Sequence, residues 1–84
     1  MIEVQIGLDR NIKTDNRWVY RIKNEETLKT EPIGACWDNL DGYEAIDIFL
    51  VENGGHGYIV MDGDPDSSEV FTIGWLNENN FLDN

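Results

Sequence analysis

The apolar positions of the chain follow two periods, and the change from one to the other falls at a pair of glycines. Ile2, Val4, Ile6 and Leu8 alternate with Glu3, Gln5, Gly7 and Asp9, the period of two expected of a strand with one buried and one wet face. Arg17 to Lys23 alternates again, with Trp18, Tyr20 and Ile22 on the inward side. The polar segment between these runs, 9–16, is too short for a parallel crossover, so the two strands are expected to pair antiparallel. Arg17, Arg21 and Lys23 would then face Glu3 and Asp9 across the pair, contacts worth about 0.2–1 kcal/mol each.

The stretch Asp41–Asp62 organises the rest. Tyr43, Ile46, Phe49 and Leu50 fall on one helical face at steps of three and four. Asp41 stands where an N-cap belongs, Glu44 occupies the capping-box position, and Leu40 is the apolar residue before the cap. Asn53-Gly54-Gly55 supplies the left-handed residue that stops a helix. Beyond it the period returns to two in Tyr58-Ile59-Val60-Met61. A strand fits the first half as well: Ile46, Ile48 and Leu50 alternate with Asp47, Phe49 and Val51, and Asn-Gly-Gly makes a good hairpin turn. Cap signals at both ends favour the helix. In that helix Ile48 and Val51 point away from the sheet, and two exposed β-branched residues on one stripe suggest a subunit contact.

The remaining segments complete a sheet. Residues 24–30 are expected to form a loop or a single helical turn, and Pro32 biases Glu31 away from helix. Ile33–Trp37 suits a brief strand or a buried linker. A turn over 62–68 precedes a strand over 69–76 with Phe71, Ile73 and Trp75 on one face. The tail 77–84 is polar apart from Phe81 and Leu82 and is expected to fray unless those two dock. The expected fold is α+β, one domain over 1–84, with an antiparallel sheet of four or five strands and one main helix packed on one face.

A chain of 84 residues buries only about 60–65% of the surface its unfolded form exposes, so the core is thin. The single cysteine, Cys36, excludes an intrachain disulfide and fits a reducing compartment. No apolar run approaches the roughly 18–20 residues of a membrane span, and the N-terminal residues lack the regions of a secretory signal. A cytoplasmic location is therefore expected.

Charge changes the picture most. Six Lys+Arg stand against seventeen Asp+Glu, a formal net charge of -11. All the cations, from Arg10 to Lys29, lie in the first 30 residues, and from Glu31 onward there are twelve acids and no base. Such a field repels nucleic acid and anionic membrane and favours a basic protein partner, although the same charge also serves solubility.

Candidate chemistry is sparse. Asp62, Asp64 and Asp66 open like a calcium loop, but Ser67 stands where that loop needs glycine and Ile73 where it needs a bidentate glutamate. A solvated turn is the simpler reading, and no metal is expected. His56 is the only histidine, with no Cys or Ser at motif spacing, and Cys36 reads as a small buried hydrophobe. There is neither a phosphate-binding glycine loop nor a zinc-ligand cluster. In so acidic a chain, carboxylate pairs arise by chance and argue no dyad. No cofactor and no enzymatic activity are expected. The aromatics exceed what a thin core absorbs, so Trp18, Trp37 and Trp75 join Ile48 and Val51 as candidate binding residues.

The passage Ile48–Gly55 resembles the helix followed by Asn-Gly-Gly found in one class of immunity domains; no fold or site residue is carried over from so short a match. Three functional expectations stand side by side. The first is a non-enzymatic interaction protein, homodimeric or larger through an edge strand, Ile48 and Val51, or the opposed charge of its two halves. The second is an immunity- or antitoxin-like inhibitor that presents carboxylates to a basic nuclease or nucleic-acid-binding protein. The third is a small enzyme using His56 or an acidic pair.

Overall fold

The computed structural model describes residues 2–9, 17–23, 30–37, 40–67 and 70–77, with the side chains of 35–37 outside the description. Strands β1 (Ile2–Asp9), β2 (Arg17–Ile22) and β3 (Glu31–Trp37) come first. Helix α1 (Gly42–Asn53), β4 (Gly55–Asp62), a short 3₁₀ turn at Pro65–Ser67 and β5 (Phe71–Asn77) follow. The five strands form one sheet in the order β3-β2-β1-β5-β4. Every neighbouring pair is antiparallel, and the helix packs on one face. This is the α+β architecture that the periodicities predict.

Register places the apolar alternates on the helix side. Val4, Ile6 and Leu8 of β1 stand opposite Ile22, Tyr20 and Trp18 of β2, while Ile2, Val4 and Ile6 stand opposite Trp75, Ile73 and Phe71 of β5. Into this floor α1 drives Ala45, Ile46 and Phe49, all fully buried. Phe49 is the wedge: its ring meets Tyr20 and Trp75 edge-on at centroid distances of 4.7 and 5.1 Å. Such pairs add about 0.5–1.5 kcal/mol each beyond the area they bury.

Both ends of α1 are fixed as the sequence suggests. Asp41 accepts from the Glu44 backbone N–H at 2.9 Å, satisfying one of the free donors of the first turn. Gly54 closes the other end in the left-handed region at φ 68°, its N–H donating to the Leu50 carbonyl. That conformation favours glycine because a side chain there would crowd the backbone. The hairpin alternative for this stretch is thereby excluded.

Two segments extend further than their patterns indicate. β4 starts at Gly55 and runs to Asp62, beyond the alternating core of Tyr58–Met61. Glu31–Trp37 forms a strand, resolving the choice between strand and linker. It lies at the sheet edge, the place that tolerates Pro32 because no outward N–H is needed there. Residues 10–16 of the expected turn, the segment 24–29 and the tail beyond Asn77 lie outside the described residues, as does the docking of Phe81 and Leu82.

Candidate interaction surface

One helix covers one face of a five-stranded sheet, and among the described residues no helix or strand packs on the other. That open face divides into two halves. On β1 and β2 it is polar: Arg21 Nε donates to Gln5 Oε1 at 2.5 Å, and Asp9 stands opposite Arg17. The Arg17 guanidinium donates to the Gly34 carbonyl of β3. Asp9 opposite Arg17 matches the expected cross-strand pairing, whereas Arg21 meets Gln5 rather than Glu3 or Asp9; together these contacts tie the first three strands together.

On β4 and β5 the open face is apolar. Ile59 stands opposite Gly74, and Gly57 opposite Leu76. The two glycines leave a shallow hollow of about 180 Å³ between Tyr58, Ile59 and Leu76. A second hollow of about 160 Å³ lies over Gly7, between Gln5, Val19, Arg21 and Val70. Ile59 and Val70 are each 54% exposed and Met61 47%. Large apolar side chains left exposed on an open sheet face mark candidate contact surfaces.

The residues singled out from sequence sit in different places. Trp18 and Trp75 are core residues. The Trp18 indole N–H donates to the Leu40 carbonyl at 3.0 Å, and its ring lies 5.9 Å from Phe71. The buried Trp75 Nε1 makes no hydrogen bond among the described residues. Ile48 is half-buried and packs against the core, while Val51 is 84% exposed. The expected stripe of two outward-facing residues is therefore reduced to Val51. β3 ends at Trp37, whose side chain lies outside the description.

The open-face residues have a sequence signal of their own. Tyr58-Ile59-Val60-Met61 is apolar at both parities. With a helix on only one face, every second residue of such a run must meet water or another molecule.

The titratable groups are spread out. No group of three His, Cys, Asp or Glu residues that could hold a metal occurs among the described residues. Asp64 Oδ1 accepts from the Asp66 backbone N–H at 2.9 Å, and the Asp64 carbonyl accepts from Ser67 Oγ at 2.7 Å, which makes the acidic triplet a self-bonded turn. His56 is exposed on β4. Burial raises the pKa of Tyr58, with the Asp47 carboxylate and Tyr43 adding to the effect.

No family model, curated protein or solved structure matches the chain. No helix among the described residues is long and apolar enough to cross a membrane.

Proposed function

We propose that the protein is a non-enzymatic interaction module that self-associates and binds through the β4–β5 side of its open sheet face. The observation that carries this reading is the exposure of Ile59 beside a glycine-floored apolar hollow between β4 and β5. Burying such side chains gains roughly 25 cal/mol per Å² of apolar area, and the surface is already formed by a rigid sheet.

A second reading rests on a separate observation. Asp41, Glu44, Asp47 and Glu52 on and beside α1, and Asp62, Asp64 and Asp66 in the turn after β4, are all exposed. This surface suits a basic protein, as an inhibitor mimicking phosphates would.

Salt and one charge substitution separate the readings. Bait protein and its Ile59→Asp variant are used to capture partners from native lysate at low and high ionic strength. An apolar contact survives high salt and is lost with Ile59→Asp. A carboxylate-driven contact behaves the other way. A protein that remains monomeric and retains nothing under either condition would sink both.

A further inference from the structure

The junction between α1 and β4 holds the one Asn-Gly pair of the chain, Asn53-Gly54. In an unfolded chain such a pair is chemically labile. Glycine has no side chain to shield its backbone nitrogen and no Cβ to restrict its conformation, so that nitrogen reaches the preceding side-chain amide more readily than the nitrogen of any other residue. The Gly54 nitrogen loses its proton to solvent base and bonds to Asn53 Cγ. The Cγ–Nδ2 bond breaks and ammonia leaves, which closes a succinimide ring. Water then adds to one of the two ring carbonyls. One opening gives aspartate, and the other gives isoaspartate, in which the backbone runs through Cβ and Cγ. Water and base are the only co-reactants.

The fold keeps the reacting groups apart. The Gly54 N–H donates to the Leu50 carbonyl, so the proton that must leave is engaged. Asn53 Nδ2 donates to the Phe49 carbonyl at 2.9 Å, which draws the amide toward the preceding turn and away from the nitrogen that would attack it. Both bonds end on α1, and both are lost when its last turn unwinds. Helix ends are among the first parts of a fold to open.

We propose that Asn53 is the site of spontaneous deamidation in this chain, that the last turn of α1 gates the reaction, and that the product cannot rebuild the cap. This chemistry is separate from whatever the open sheet face binds. After reaction the Phe49 carbonyl loses its side-chain donor, because a carboxylate only accepts. A new negative charge also stands at the helix C-terminus, where α1 carries no basic residue and Glu52 is already present, and the helix dipole disfavours it. The isoaspartate form further lengthens the backbone at a junction without slack. A Cβ on Gly55 would already collide with the Leu50 side chain and stand 3.1 Å from the Trp75 ring. Each opening that ends in reaction is therefore irreversible, and the altered chain opens more readily than the one it came from.

Native protein and protein unfolded in guanidinium chloride are aged side by side at mildly alkaline pH, with deamidation followed by peptide mapping and mass spectrometry. In denaturant, Asn53 should react before every other asparagine of the chain. In native protein it should react about tenfold more slowly or less, as expected of a residue that reacts only on local opening. Leu50→Ala, which removes a last-turn side chain packed against the core, should speed the native reaction and leave the rate in denaturant unchanged. Wild-type protein aged in denaturant below its unfolding midpoint should show the same acceleration without a substitution. The deamidated fraction, separated by anion exchange on its added charge, and Asn53→Asp should both unfold at a lower denaturant midpoint than the wild type. Equal rates in native and unfolded protein overturn the gate, and a faster reaction at another asparagine in denaturant overturns the site. An unchanged midpoint for both products overturns the loss of the cap.

Discussion

Phe49 and Ile59 lie on opposite sides of the same sheet, one fully buried and the other 54% exposed. On Phe49's side every strand contributes its apolar alternates and one helix closes the layer. On Ile59's side the polar half is tied by Arg21 and Gln5, and the apolar half ends in a hollow with glycine at its floor. The contrast shows what a small chain can do with one helix: it makes a single dry layer, and surplus apolar residues on the far face become surface. Residues that hold the fold together and residues left on the surface then lie a few ångströms apart across the backbone.

The largest test of that division is Phe49→Ala. Removing the ring that bridges Tyr20 and Trp75 leaves a cavity in a thin core. Urea unfolding should show a loss of about 3–5 kcal/mol, much of what a domain of this size has. Gly42→Ala acts on how the helix is seated. An added Cβ would stand 2.4 Å from the Pro65 carbonyl oxygen and 2.9 Å from the Phe71 ring. Because the first obstacle is backbone, α1 must lift, and a loss of about 1–3 kcal/mol is expected in the same assay.

Tyr58 sits at the boundary between the two sides. Burial holds its phenol above the usual value of about 10. Between the unfolded and folded pKa the unfolded state has released a proton that the folded state keeps. Folding stability contributed by this group is therefore complete below pH 10 and is lost as pH rises through the folded value. Tyr58→Phe should flatten the alkaline limb of the stability–pH curve, as read by denaturant midpoints from pH 8 to pH 12. The smallest effect belongs to the open face. Ile59→Lys should change monomer stability by no more than about 0.5 kcal/mol, since an exposed position makes few native contacts. A loss comparable to that of Phe49→Ala would mean that the far face is also core.

Local features of this fold could be read from sequence because their causes are local. Asp41 and Gly54 mark the ends of α1 through groups within one helical turn, and the alternation in Ile2–Leu8 or Phe71–Trp75 follows from one wet and one dry face. Glu31–Trp37 is harder, because Pro32 and Gly34 count against a strand unless the strand is known to be an edge, and edge position is decided by distant partners. The same limit applies to the tryptophans. Composition indicates more aromatic surface than a small core absorbs. That Trp18 and Trp75 are the ones absorbed depends on the register of β1 with β2 and β5. Ile48 reads as outward on a helical wheel but is half-buried and packs against the core, a placement set by tertiary neighbours rather than by its helical spacing.

The sheet order carries a consequence for how the molecule comes into being. β1 lies between β2 and β5, so after leaving the ribosome it waits for Phe71–Asn77, far along the chain, before its second ladder can form. Until then β1, β2 and β3 have only each other. The column Val4 and Ile6 must remain open to collisions until β5 emerges, the interval in which a nascent β layer is most exposed to wrong partners.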